Sequence, residues 1–228
     1  MIELRDVRKT FDAGQPSEFH AVRGVTLSIE EGGASCLKGP SGSGKTTLLG
    51  LIGCMARPTA GRIWLRDREI TSLPERFLTD LRRRTFGFIF QQLNLIRGLS
   101  ALENAMLPAY PLGERRSSIR KRALGLFEMF GLAHRAHAKA HRLSGGEAQR
   151  LTIVRALMND PAVVIADEAT AHLDTELSIE FMNILGRLKA EGRTILLASH
   201  DPLVCGSPII DRVVNLRDGR IEGSGGPG

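Results

Sequence analysis

Three short stretches hold residues whose types and spacing can do chemistry. The first is Gly39-Pro40-Ser41-Gly42-Ser43-Gly44-Lys45-Thr46, which meets the pattern G-x-x-x-x-G-K-[ST] at every position. Glycines let the backbone wrap until successive N–H groups converge on a phosphate, and a helix beginning there adds its positive end. Lys45 has the reach to meet terminal phosphates, and Thr46 has a hydroxyl for Mg²⁺. A glycine-rich turn that happens to contain Lys-Thr is the bland alternative, and the strand before it and helix after it speak against that. The second stretch, Val163-Val164-Ile165-Ala166-Asp167-Glu168, is an apolar strand ending in two carboxylates. Taken alone, such an ending is the ordinary start of a solvated loop. Beside a phosphate loop, the first carboxylate holds the metal, usually through water, and the second polarises an attacking water. The third is Leu143-Ser144-Gly145-Gly146-Glu147-Ala148-Gln149-Arg150. Ser144 followed by Glu147 reads as a capping box, which need be no more than a helix start. A Ser-Gly-Gly start also exposes backbone N–H groups with no side chain in the way, which makes a second anion site. Two such starts in one chain suggest that two copies share two nucleotides.

These groups need elements to hold them. Residues 1–6 and 25–29 alternate as half-buried strands, the latter closed by the turn signal Glu31-Gly32-Gly33. Ala34–Lys38 reads as a short strand feeding the phosphate loop, with a helix running on through residues 48–52. A turn at Pro58-Thr59-Ala60-Gly61 precedes strands at 62–65 and Phe86–Phe90. The character then changes to helix until about residue 159: Ser100-Ala101-Leu102-Glu103 is a capping box, and 118–130 has helical apolar spacing. After Asp160-Pro161 strands return at 162–166, 194–198 and 212–216, with a helix at 176–191 between the first two. The glycine-rich tail, 223–228, is expected to fray. The pattern predicts an α/β core with a helical insertion and no internal repeats.

The chain has 228 residues, the size of one domain or one domain with an inserted lobe. Its 42% hydrophobic and 25% charged residues fit a folded core and exclude a disordered or collagen-like chain. No apolar run approaches the roughly 18 residues of a membrane-spanning helix, and the N-terminus lacks the apolar heart of a signal peptide. A soluble, cytoplasmic chain is expected. The net charge of +6 invites nucleic acid, a membrane surface or a phosphate-bearing ligand, and chooses among none of them. Cys36, Cys54 and Cys205 have no C-x-x-C spacing and sit in apolar contexts, so packed, reduced thiols are expected. His134, His137 and His141 have a spacing that can cluster imidazoles on a helix face as a metal site; a solvated basic linker is the favoured reading, because no acidic or thiol ligand accompanies them. The arginine runs at 82–84 and 115–122 read as solvated faces, the other reading being that some meet acidic groups on a membrane partner.

With these motifs in this order, the sequence resembles the ATP-binding cassette (ABC) family of transporter ATPases over essentially its whole length. Leu143-Ser144-Gly145-Gly146-Glu147 looks like the family's signature, normally LSGGQ or LSGGE. Gln91, after Phe88-Ile89-Phe90, matches the Q-loop glutamine that touches Mg²⁺ and water; Leu173-Asp174 matches the end of the D-loop; His200 matches the switch histidine. Phe11 falls where the family stacks an aromatic, usually Tyr, on adenine. The resemblance implies a RecA-like P-loop NTPase core (1–92 and 158–228) with an N-terminal antiparallel β subdomain and an inserted helical subdomain (93–157). It implies ATP and Mg²⁺ as cofactors. Phe11, Gly39, Ser41, Gly42, Ser43, Gly44, Lys45, Thr46 and Thr47 would hold nucleotide, with Ser144, Gly145, Gly146 and Asp174 completing the site of a second copy. Thr46, Gln91 and Asp167 would serve the metal, and Lys45, Gln91, Glu168 and His200 the hydrolysis.

Within the family, the wording of Gly24-Val25-Thr26-Leu27, the stretch Arg83-Arg84-Thr85-Phe86-Gly87-Phe88-Ile89-Phe90-Gln91 and Ser100-Ala101-Leu102-Glu103-Asn104 is similar to the macrolide-export, lipoprotein-release and cell-division group. The implied partner is a separate integral-membrane permease docked near Gln91 and the helical lobe, which would hold the cassette, as a homodimer, at the inner face of the plasma membrane. The alternatives are a cassette that regulates a membrane partner without transport, as in cell division, and a soluble ATPase acting on nucleic acid or ribosomes. Relatives of that last kind carry paired cassettes, zinc modules or long coiled coils, so no direct nucleic acid is expected. There are departures: the family usually writes Asp-Glu-Pro-Thr-Gly-Asn-Leu-Asp where this chain has Asp167-Glu168-Ala169-Thr170-Ala171-His172-Leu173-Asp174. Ala169 and Ala171 replace a rigid proline and a permissive glycine, which bears on the flexibility of the dimer-facing loop. Ala148 stands where the group often has Gln. None of these removes a group that would touch phosphate, metal or water.

Overall fold

Two sheets carry the chain in a computed structural model that describes residues 1–171 and 173–222. The expectations for His172 and for the tail 223–228 lie outside the described residues. The first sheet is antiparallel, in the order β2-β1-β4-β5, from β1 (Ile2–Phe11), β2 (Phe19–Ile29), β4 (Ala60–Leu65) and β5 (Arg68–Glu69). Its alternating residues Ile2, Leu4, Val25, Leu27 and Ile29 are buried, while the intervening polar ones face outward, as a period of two demands.

The second sheet has the order β10-β9-β3-β8-β7-β6. It comprises β3 (Ala34–Lys38), β6 (Phe86–Phe90), β7 (Val163–Asp167), β8 (Thr194–Ser199), β9 (Arg212–Arg217) and β10 (Arg220–Ile221). All neighbours are parallel except the β10–β9 pair. β8 is buried along its whole length and β7 up to its final Asp167, the near-continuous apolar pattern of strands covered on both faces. Register brings the strand ends into one row: Lys38 lies opposite Ser199, Asp167 opposite Ala198, and Phe90 opposite Asp167. Gln91, Glu168 and His200 each follow one position beyond that row.

Helices cover the sheet. α1 (Lys45–Ile52) follows β3, α6 (Thr175–Ala190) links β7 to β8, and the single turn α7 (Pro202–Cys205) follows β8. α2 (Glu75–Thr85) was not signalled by the sequence: it is strongly polar and buries one residue, Leu78. Arg83 and Arg84 are exposed, as a solvated face requires, but Arg82 departs from that reading: it donates to the Cys54 carbonyl and pairs with Glu75 at 2.8 Å. Arg122 is likewise committed, with both guanidinium arms on Glu114 at 2.9 and 3.0 Å.

The helical insertion consists of α3 (Ala101–Met106), a 3₁₀ stretch (Leu107–Leu112), α4 (Arg116–Met129) and α5 (Gly145–Leu157). It has its own core, including Leu102, Met106, Ile119 and Phe127. α5 serves two cores at once: Leu151 and Val154 belong to that cluster, whereas Ile153, Ala156 and Leu157 share a cluster with Val164 of the sheet and Leu185 of α6. At the seam between α2, β6, the 3₁₀ stretch and α5 lies a groove of about 390 Å³, lined by Met55, Phe88, Phe90, Pro108 and Arg155 among others. The rings of Phe88 and Phe90 stack there, 5.8 Å apart and within 2° of parallel.

All three cysteines are free and buried. Burial pushes the Cys54 thiol up to about 11 and raises that of Cys36 as well. Among the described residues no helix is long and apolar enough to cross a membrane.

Candidate active site

The loop after β3 is shaped by what its glycines exclude. A Cβ on Gly39 would lie 2.1 Å from the Leu216 carbonyl oxygen. Gly44 takes φ +101°, and a Cβ there would meet the Ala21 carbonyl oxygen at 2.4 Å. The loop is stitched by Ser43 N–H to the Pro40 carbonyl at 3.2 Å and by Gly219 N–H to the Ser43 carbonyl at 3.0 Å. α1 begins with no side-chain cap, so its first N–H groups stay open to an anion. Ser41, Gly42 and Thr46 form the exposed lip, while the Ser43 hydroxyl is buried without a protein partner. Lys45 is 5% exposed and lies back along the loop. Its ammonium donates to the Gly39 and Pro40 carbonyls at 2.8 and 3.0 Å and stands 3.4 Å from Glu168.

The carboxylates meet it from β7. Glu168 sits at φ +46°, a conformation costly for a residue with a side chain and concentrated at functional sites. Its backbone is clamped by N–H donation to the Ala198 carbonyl at 2.9 Å and by acceptance from Ala171 N–H at 3.1 Å. His200 follows β8 and is exposed, with Nδ1 at 3.0 and 3.1 Å from the two Glu168 oxygens. Lys45, Glu168 and His200 therefore form one chain of contacts. Asp167 stands behind them with one oxygen, Oδ1, buried and unpartnered. Burial raises its pKa and the Glu168 charge adds to that, while the nearby Thr46 hydroxyl and Lys45 ammonium oppose it. An underpaired buried carboxylate beside a hydroxyl is a hard-oxygen set that suits Mg²⁺, which is held by one or two protein oxygens, phosphates and waters. Among the described residues no group of three or more His, Cys, Asp or Glu could hold a metal. His134 and His141 instead take separate neighbours, Glu147 at 3.5 Å and the Arg97 carbonyl at 3.2 Å.

The remaining expected residues lie around this centre. Phe11, 43% exposed at the end of β1, has the Lys9 ammonium 5.0 Å from its ring centroid. Thr47 follows Thr46 in the first turn of α1. Gln91 and Ser144 line one cleft of about 600 Å³, together with Gly145, Ala169 and Leu173. Ser144 caps α5 in a reciprocal box with Glu147. Asp174 caps α6, its carboxylate accepting from Leu177 N–H at 2.8 Å. Ala169 and Ala171 avoid positive φ, so neither position demands glycine.

Two contacts with a bearing on the site were not signalled by the sequence. Gln149 donates from Nε2 to the Ala169 carbonyl at 3.0 Å, tying α5 to the loop after Glu168. Arg135 reaches Glu147 at 2.7 Å from a 3₁₀ turn (Ala133–Arg135) that has no periodicity to announce it. A glutamate in a capping box could have prompted a search for its cation, but nothing in the spacing selects Arg135 over its basic neighbours.

A family model described as ABC transporter matches residues 22–171. The chain belongs to the ABC transporter family. It is an ABC ATPase cassette, with the fold of that class. It is 44% identical over 226 residues to the macrolide export ATP-binding/permease protein MacB of Hyphomonas neptunium, covering 99% of this chain and 35% of that protein. It is 40% identical to an uncharacterized ABC transporter ATP-binding protein of Thermotoga maritima, covering 98% of this chain and 94% of that protein. The chain thus spans about a third of the length of the MacB relatives that it matches. Among solved structures, the dimeric bacterial ABC transporter cassette MJ0796 is 39% identical, with a TM-score of 0.88 and 97% of each chain covered. A second structure of that cassette, a dimeric post-hydrolysis state bound to ADP and Pi, is 38% identical with a TM-score of 0.88.

Proposed function

We propose that this ABC cassette binds and hydrolyses ATP with Mg²⁺ to power a membrane permease of the export or lipoprotein-release type. Two copies close head to tail, so that the phosphate loop of one and Ser144-Gly145-Gly146 of the other enclose each nucleotide. The observation that carries the reading is the run of contacts from Lys45 through Glu168 to His200, at the mouth of a phosphate loop whose helix is uncapped.

Lys45 turns from its own carbonyls to the β- and γ-phosphates, and backbone N–H groups of residues 39–46 surround them. Glu168 then loses its cation and becomes free to orient a water and take its proton. His200 holds Glu168 on one side and reaches the γ-phosphate on the other. Phe11 stacks on the adenine, and Asp174 lies at the dimer face. Thr46 and Asp167, with Gln91, would hold a magnesium ion, which when bound would supply charge neutralisation at the phosphate oxygens. Catalysis on this account is positioning and electrostatics, with no covalent step on the protein.

The groove at the seam of core and helical insertion supports a membrane partner, because its Phe88–Phe90 stack and Met55 offer an apolar seat beside Gln91. Relatives named as macrolide export ATP-binding/permease proteins support the export type and a permease partner. The cassette would then sit at the inner face of the plasma membrane through that partner.

Glu168→Gln tests the reading. The variant is expected to bind ATP, to lose turnover and to run as an ATP-dependent dimer in analytical ultracentrifugation. Normal turnover would remove Glu168 from its role, and a monomer at saturating MgATP would remove the dimer. Co-purification from detergent-solubilised membranes should recover an integral-membrane partner. A wholly cytosolic protein with no such partner would sink the transport reading.

A further inference from the structure

We propose that Arg135 is a positioning residue for the shared nucleotide: by holding the Glu147 carboxylate, it lets the Ser144 turn receive the γ-phosphate bound to a second copy. The inference rests on the head-to-tail dimer proposed above.

An account of the donors at the start of α5 shows what is left for a ligand. Ser144 N–H is spent on Glu147 Oε2 at 2.8 Å. Glu147 N–H is spent on the Ser144 hydroxyl oxygen at 3.3 Å, and Ala148 N–H opens the helical ladder on the Ser144 carbonyl at 2.8 Å. The Ser144 hydroxyl is itself turned to the Glu147 carboxylate, and the N–H groups of Gly145 and Gly146 remain. They point out of a positive helix end, yet a buried carboxylate lies within the same turn. Ser144 N–H, and then Arg135, hold Glu147 down at about 2, so this negative charge is permanent. A polyanion approaching the turn meets a like charge unless something cancels it.

The Arg135 guanidinium, with Nε 2.7 Å from Glu147 Oε1, is that cation. Its mount is firm. Arg135 N–H donates to the Leu132 carbonyl at 2.8 Å and its carbonyl accepts from Ala138 N–H at 2.9 Å. The same segment is bonded to the start of α3, through Ala101 N–H to Ala138 and Leu102 N–H to Ala136. Arg135 is exposed enough that the pair adds little to stability in water. Its effect falls on the anion that the turn receives.

The test uses the hydrolysis-deficient Glu168→Gln protein as parent and reads ATP-dependent dimerisation by analytical ultracentrifugation. Fluorescent-nucleotide titration under monomeric conditions runs alongside. Arg135→Ala is expected to raise the dimer Kd by about tenfold or more, the loss of one charge-assisted contact, and to leave monomer ATP affinity unchanged. The double variant Arg135→Ala/Glu147→Gln is expected to return most of the lost affinity, because Gln keeps the capping box and carries no charge to cancel. A merely structural Arg135 would lower the Tm of the parent along with its dimerisation, whereas here Arg135→Ala is expected to leave the Tm of the nucleotide-free monomer within about 1 °C. A double variant as weak as Arg135→Ala, or an Arg135→Ala protein that dimerises like its parent, overturns the inference. A parent that fails to dimerise with ATP overturns the dimer itself and takes this inference with it.

Discussion

Replacing Gly145 by alanine should separate stability from function in opposite directions. Gly145 is the first residue of α5, is exposed, and lies outside the left-handed region. A Cβ built there meets nothing within 4 Å. Alanine is therefore sterically free, and it gains from helix propensity and from a more restricted unfolded chain. At a first-turn position that gain is about 0.5 kcal/mol, which in a chain of this size raises Tm by about 1–2 °C. The same methyl group obstructs function. Cα–Cβ bonds tilt toward the helix N-terminus, so the methyl stands in front of the turn that would take a γ-phosphate. Displacing one charge-assisted contact from backbone N–H costs about 1.5–3 kcal/mol, or roughly ten- to a hundredfold in turnover. Differential scanning calorimetry, fluorescent-nucleotide binding to the monomer and a phosphate-release assay give the three readouts. The expected pattern is a slightly higher Tm, unchanged monomer affinity and strongly reduced turnover. Unchanged turnover would refute the assignment of the Ser144 turn as an anion site, and a Tm lowered by several degrees would refute the steric argument.

Asp167→Asn should also stabilise while disabling. The folded protein raises the Asp167 pKa, chiefly by burial, so ionising that carboxyl works against folding as pH rises past its unfolded value near 4. The variant should melt above wild type at neutral pH, with the gap closing as pH falls below about 4, and calorimetric titration should find that magnesium no longer strengthens ATP binding. A lower melting point at neutral pH would contradict the sign. Gly44→Ala should do the reverse of Gly145→Ala: with φ +101° and a Cβ 2.4 Å from the Ala21 carbonyl, it should cost at least about 2 kcal/mol. A Tm drop of about 4 °C or more with loss of nucleotide binding is expected, and a stable, nucleotide-binding variant would show that the loop geometry is not required.

Much of this was legible because the informative residues are punctuated. The glycines flanking Lys45, the Ser100 and Ser144 capping boxes and the apolar runs of β7 and β8 each fix a local structure with few alternatives, and α3, α5 and the parallel strands fall where those signals point. What escaped has a physical reason. α2 is held by one buried leucine and by an arginine bonded to a backbone carbonyl, and neither leaves a period in the sequence. Arg82 was misread for the same reason: a charge run looks solvated until the fold supplies a carbonyl for one of its members. Lys45, Glu168 and His200 were each marked, but their mutual contact depends on strand order and register, which no local pattern encodes.

The aligned strand ends bear on how a cassette of this kind can diversify. Lys38, Phe90, Asp167 and Ser199 belong to four different parts of the chain, yet each is tied by backbone bonds to its lateral neighbour in the sheet. One residue inserted into any of these strands would turn its last side chain to the other face and carry the residue after it out of reach. The strands thus act as fixed rulers, intolerant of length change. The loops beyond the row bear no such constraint, so variation in catalytic speed or partner choice has to be written there, a few residues past the sheet, where Ala169 and Ala171 already differ from the usual wording.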